Sequence, residues 1–220
     1  MFSDQEILTL AGFQLGDNIF TVDLESARKQ LLSIEQIRNV ILRRVLPDTL
    51  QVVVQVKEPI AWLASQAGTG KDLYADSFLL EASGTFYKPI HVPPKYFSLP
   101  IIQGVNQKRL AAGDLLITED LHQALELLRL ATARHNPPIL LRLLDLSSGY
   151  CIHALSASNA VITFSTQNFE QQLNRLQKLM KICENSGRHI VSVNLFVHRN
   201  TPVRFMASEV EKQQHPILPF

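Results

Sequence analysis

Residues 39–63, NVILRRVLPDTLQVVVQVKEPIAWL, limit what this chain can fold into more than any other stretch. Two apolar runs rich in β-branched residues flank Leu46-Pro47-Asp48-Thr49, where proline fixes φ and the chain can turn. The pattern predicts a β-hairpin. The second run then meets Glu58-Pro59 and continues as IAWLAS. Proline donates nothing to a strand ladder and biases the residue before it towards an extended backbone, so a strand passes through only at an edge or a junction. A junction between two domains at Pro59 satisfies both constraints, with the first strand of a second domain beyond it.

Upstream, EILTLAG is a short apolar run that stops at Gly12 and is expected to be a strand. LGDNIFTVD carries a turn signal at Gly16-Asp17-Asn18. Asp23 is a good N-cap, and Leu24, Ala27, Leu31 and Leu32 recur at helical spacing through DLESARKQLLS. Its outer face, Glu25, Arg28 and Lys29, reads as a solvated face that could also recruit a partner. Residues 5–58 thus predict strand, short helix, helix, strand, strand: a small sheet with helices on one face, an α+β unit.

Beyond Pro59 the chain is sheet-rich with two helices. Strand-like pieces lie around Gly84, and HVPPKYFSLPIIQG is expected to be a proline-rich surface connection. TEDLHQALELLRLATARH is a periodic helix capped by Thr118, with Leu121, Leu125 and Leu128 on one stripe. PILLRLLDL, YCIHALS and AVITFS are three strands, residues 169–184 a second helix, and HIVSVNLFVHRNTPVRFMAS a closing hairpin that turns at Arg199-Asn200. The tail EVEKQQHPILPF is expected to leave the fold as a mobile end.

Composition narrows the function classes. With 220 residues, 46% hydrophobic, 19% charged and a net charge of +1, the chain reads as an ordinary folded protein, large enough for one or two domains. Basic residues cluster no further than isolated pairs such as Arg43-Arg44 and no basic stripe is interleaved with aromatics, which argues against nucleic acid. No secretory signal opens the sequence, and the longest charge-free interval, residues 146–169, is too polar to span a membrane. Cys151 in a strand-like segment and Cys183 at a helix end are expected as two buried thiols rather than a bridge.

Enzymatic readings find little support. In Ala67-Gly68-Thr69-Gly70-Lys71-Asp72, Ser65 occupies the first glycine position of a phosphate loop and Asp72 replaces the magnesium-binding hydroxyl, so a plain loop is expected. The seven histidines form no metal-binding spacing, and Ser148 and Ser156 sit in no nucleophile elbow. No catalytic residue, cofactor, metal or small-molecule substrate is predicted.

The order GDNIF-x-VDL, then residues 43–50 as RRVLPDTL, then residues 54–62 as VQVKEPIAW, resembles the FtsQ/DivIB family of bacterial cell-division proteins. Residues 81–86 (EASGTF) fall where that family has an acidic residue, a glycine and an aromatic, and residues 99–104 (LPIIQG) resemble its Leu-Pro-x-x-x-Gly segment. The resemblance runs from about Glu6 to about Ala207 and lies in the order and spacing of these motifs. It implies an N-terminal polypeptide-transport-associated (POTRA) domain, a small sheet with two helices, over residues 1–58. A β domain of twisted, mostly antiparallel sheet flanked by helices follows over 59–207, then a flexible tail over 208–220.

The resemblance further implies a non-enzymatic scaffold of the divisome, anchored in the inner membrane by an N-terminal segment outside this chain, with this part in the periplasm. There it would bind FtsB- and FtsL-type division proteins and help control septal peptidoglycan synthesis. Partner contacts are expected at Phe196, Val197, Thr201, Pro202, Val203, Arg204, Phe205 and Met206, by addition of a strand to the edge of the last strand. Val203 and Phe205 on one face of that strand could equally be core-facing. Three positions depart from the family pattern: Leu46 in place of tryptophan, Val56 in place of glutamate, and Phe196 in place of arginine. The last alters the expected docking surface. The alternative is a POTRA-containing transport or outer-membrane assembly component, which usually carries several such units or a barrel.

Overall fold

The computed structural model describes residues 2–64, 74, 77–105, 118–133, 137–197 and 200–206. Among these lie four α-helices and eleven strands. They fall into two compact units, one built from the described residues up to Leu99 and the other from 100–105 and 118–206.

In the first unit, α1 (Asp4–Ala11) occupies the EILTLAG run, correcting the strand expected there. The apolar residues suited either element, but the ends decide it. Ser3 and Glu6 form a reciprocal capping box, and Gly12 terminates the helix at φ 72°, a left-handed conformation open to glycine at little cost. The short helix expected before Asp23 is instead a run of turns closed by Asp17 and Asn18 side chains. Then α2 (Leu24–Leu32) begins where Asp23 caps it, its Oδ1 accepting from the amides of Glu25 and Ser26.

The predicted hairpin forms from β1 (Ile37–Val45) and β2 (Thr49–Val56), antiparallel from Val45 opposite Thr49 to Ile37 opposite Val56. The helices cover one of its faces, and Ala11, Phe13, Ala27, Leu31, Ile34, Ile37 and Val40 form the core between them. Each large side chain buried there stabilises the unit by about 1.5–3 kcal/mol. The basic pair serves this packing. Arg44 donates to the carbonyls of Ile19 and Val22, while Arg43 bonds Gln51 across the hairpin. The expected solvent face of α2 is exposed at Glu25, Arg28 and Lys29; Arg28 Nε donates to the Val40 carbonyl, and Glu25 and Lys29 form an exposed ion pair 2.9 Å apart.

The strand does not run unbroken through Pro59. β2 ends at Val56, and β3 (Ala61–Leu63) starts a three-stranded antiparallel set with β4 (Phe78–Leu80) and β5 (Phe86–Tyr87). The proline-rich connection is only partly superficial. It forms a 3-10 turn over Pro94–Ser98 whose Tyr96 is buried and whose carbonyl accepts from Trp62 Nε1 at 2.7 Å.

In the second unit the strands run in spatial order β11-β10-β9-β8-β7-β6. They are β6 (Ile101–Gln103), β7 (Leu141–Asp145), β8 (Cys151–Ser156), β9 (Val161–Ser165), β10 (Ile190–Asn194) and β11 (Val203–Phe205). Pairs β6–β7 and β9–β10 are parallel and the rest antiparallel, so the expected mostly antiparallel sheet is found. One face, with Ile102, Leu144, Ala154, Ile162 and Val193 in register, is buried, and α3 (Glu119–Ala133) and α4 (Phe169–Ser186) pack against β7 and β9. The other face carries a half-buried polar row, Gln103, Asp145, His153, Thr163 and Asn194, one residue from each of five adjacent strands. Thr118 accepts from the Leu121 amide as the predicted cap of α3. Both cysteines are buried free thiols. The phosphate-loop-like residues 67–72 and the tail lie outside the described residues.

Candidate partner-binding edge

The edge begins where α4 stops. Gly187, at φ 63°, caps the helix C-terminus, and Arg188 closes it further by donating to the Cys183 carbonyl. The chain then enters β10, with Val193 and Leu195 inward and Val191 outward. β10 is fixed on one side by parallel pairing with β9, continued by the Leu195 amide donating to Thr163 O at 2.8 Å. β11 pairs on its other side, Val203 opposite Val193, Arg204 opposite Ser192 and Phe205 opposite Ile190, with an irregularity between the last two.

Two hydrogen bonds orient β11. The Asn194 amide donates to Pro202 O at 3.0 Å, and the Met206 amide donates to His189 O at 2.9 Å. Along an antiparallel strand, the main-chain groups of successive residues alternate between the two sides. Pro202, Arg204 and Met206 therefore face β10, and the N–H and C=O of Val203 and Phe205 face outward. No described strand lies on that side.

The eight residues expected as partner contacts gather here. Phe196, Val197, Phe205 and Met206 are exposed large apolar side chains, Met206 at 66%, Pro202 and Arg204 are exposed, and Thr201 and Val203 are half-buried. The two side chains that could have been core separate. Val203 lies beside the buried Val193, whereas Phe205 is 38% exposed with the Arg188 guanidinium 5.6 Å from its ring centroid. Phe196 meets Tyr150, from the β7–β8 turn, edge to face at 6.4 Å. Its amide donates to Asn194 Oδ1 at 3.0 Å, and from α4 the Arg175 guanidinium donates to the carbonyls of Leu195 (2.7 Å) and Val197 (2.9 Å).

Sequence reasoning missed Tyr150, Arg175 and Arg188. For Arg175 a signal existed. Gln172 sits on the buried stripe of α4 with Phe169, Leu173 and Leu176, and Arg175 follows one turn later, so polar groups there had to find partners inside.

Elsewhere, among the described residues, no group of three metal-ligating side chains occurs. Cys151 Sγ lies 3.4 Å from His153 Nε2, and His153 Nδ1 lies 3.2 Å from Thr163 Oγ1. The thiol is buried. A cleft of about 550 Å³ beside α1 and the turn end of the hairpin is lined by Asp4, Ile7, Leu8, Leu50, Gln51 and Val52 among others, with a single carboxylate.

Comparison with known proteins bears on this arrangement. Residues 1–58 match the family described as POTRA domain, FtsQ-type. Cell division protein FtsQ of Geotalea daltonii is 26% identical over 183 residues, covering 80% of this chain and 62% of that protein. Its namesake in Koribacter versatilis is 25% identical over 86% of this chain and 53% of its own length, and that of Syntrophotalea carbinolica 25% over 94% and 70%. The chain thus spans between about half and two thirds of the length of the first two relatives. The small helix-covered hairpin of residues 1–58 thus coincides with a match to the FtsQ-type POTRA domain, and most of the chain is similar to FtsQ cell-division proteins.

Proposed function

We propose that this chain is the extracytoplasmic part of a non-enzymatic divisome scaffold. It binds FtsB- and FtsL-type division proteins through the open edge of β11 and so helps control septal peptidoglycan synthesis. In this reading the protein is held in the inner membrane by a segment outside the chain and the part described here lies in the periplasm. Its POTRA domain spans residues 1–58, its β domain 59–207 and a tail 208–220.

The supporting observation is the outward main chain of Val203 and Phe205, flanked by exposed Phe196, Val197, Phe205 and Met206. An extended segment added there gains hydrogen bonds to four main-chain groups, while the apolar side chains select what it carries.

The test is calorimetric titration of the chain with the membrane-distal segments of the FtsB- and FtsL-type proteins of the same organism. Phe205→Pro removes an outward N–H without touching a bond to β10, and Arg204→Glu inverts a charge beside the edge. Saturable binding that drops at least tenfold in the proline variant, with the melting temperature held within a few degrees, is the expected result. Binding indifferent to Phe205→Pro would end the strand-addition reading, and a folded chain that binds neither segment would favour a transport or assembly role instead.

A further inference from the structure

The guanidinium of Arg175 holds two carbonyls of one short segment, Leu195 and Val197, and the residue between them is Phe196. That peptide is fixed from other directions too. Its own N–H goes to Asn194 Oδ1, Leu195 is buried and tied to β9, and the Phe196 ring rests edge-on against Tyr150. Phe196 nevertheless remains 45% exposed and Val197 41%. A segment whose backbone is this constrained while its two apolar side chains stay in water is held ready for something else to cover them.

We propose that Arg175 is a positioning residue for the partner surface and that the Tyr150–Phe196 pair is part of that surface. The surface therefore extends from the β11 edge onto the turn before β8. This rests on the reading of β11 as the docking edge. The partner it fits continues beyond its paired strand with an apolar or aromatic side chain that packs on the exposed ring edges of Tyr150 and Phe196. Arginine suits the task because its planar fork aims two N–H donors at two acceptors at once. Lysine, with one compact ammonium on a flexible stem, keeps the charge but not the geometry.

The measurement uses the full chain as wild type, Arg175→Lys, Arg175→Ala and Tyr150→Ala. Amide exchange at Phe196 and Val197 is read by NMR in the free protein, and affinity for the same FtsB- and FtsL-type segments by titration. Expected for Arg175→Lys is a melting temperature near wild type, exchange at Phe196 about tenfold faster, and affinity reduced about tenfold through lost preorganisation. Tyr150→Ala should weaken affinity by a similar factor with exchange at Val197 little changed.

Unchanged exchange in both Arg175 variants would overturn the positioning role. So would faster exchange with undiminished affinity, which would make Arg175 a structural clamp alone. If wild type binds but Phe205→Pro does too, the docking-edge reading fails; if Phe205→Pro weakens binding while Arg175→Lys and Tyr150→Ala do not, only the present proposal fails. Should the wild type bind neither segment, both fall. The lysine variant keeps these outcomes distinct should the alanine variant fold poorly.

Discussion

Asp145 closes β7 with both carboxylate oxygens occupied, Oδ1 by the Ser147 amide at 2.9 Å and Oδ2 by Gln103 Nε2 at 3.0 Å. Partial burial by itself would push this group up. The hydrogen bonds from Ser147 and Gln103 and the nearby His153 outweigh it and hold the carboxyl below the ordinary aspartate value of 3.8. A carboxylate whose folded value is depressed stabilises the protein above its unfolded value, and that contribution is lost as pH falls through the folded one. Asp145→Asn should therefore cost stability at neutral pH, and the difference from wild type should fade below about pH 4, read as urea midpoints across an acid series. A constant difference down to pH 2 would refute the ionised role. The same corner explains a glycine of the Leu-Pro-x-x-x-Gly segment. Gly104 sits at φ 82°, and a Cβ there would collide with the Ser147 backbone nitrogen. The spacing was readable in sequence, but the collision depends on β6 lying beside β7 and was not.

Between elements, the entrance to β1 is where the first unit is tied together. Gln36, 3% exposed, donates from Nε2 to His91 O at 2.8 Å and accepts at Oε1 from the amides of Ile90 and His91, each at 3.2 Å. Arg38 pairs with the buried Glu81, and the Lys57 amide donates to the Gln36 carbonyl. Residues 36–38, before and within the hairpin, are thus bonded to the segment around β4 and β5, and Pro59 lies inside this bonded region. Gln36→Ala leaves one acceptor and two donors unpaired and should lower unfolding free energy by about 2–3 kcal/mol in urea denaturation. A loss under about 0.5 kcal/mol would mean water replaces the amide freely.

Element identity was legible wherever local chemistry and burial agreed, as in the β-branched hairpin, the Asp23-capped α2 and the periodic α3 and α4. It failed at α1, where Ile7, Leu8 and Leu10 in eight residues fit a strand as well as a helix. Ser3, Glu6 and Gly12 carried the deciding information. The β10–β11 pairing was legible because NLFVHRNTPVRF reads as two apolar runs around a turn. Arg175's place beside the buried stripe of α4 was readable, but the carbonyls it holds were not, since they are set by strand order.

For the molecule as a whole, the two thiols report on the second unit. Cys151 is 4% exposed on β8 and Cys183 5% on α4, both unbridged. Aromatic disulfide reagents should titrate two thiols in denaturant and nearly none in the native protein, with the slow native reaction following the opening of that unit. Fast stoichiometric labelling of the native chain would contradict their burial.

β11 is three residues long. Under the proposed function so short a template offers an incoming strand few bonds, and an encounter between freely diffusing partners should be weak and quickly reversed. Confinement changes the arithmetic. Two proteins anchored in one membrane meet at an effective concentration of about millimolar, and a contact that saturates in dilute solution only when one partner is titrated in excess is occupied there without any new interaction. Brevity of the strand would then make assembly a response to local crowding at one place in the cell, and disassembly its default once the crowd disperses.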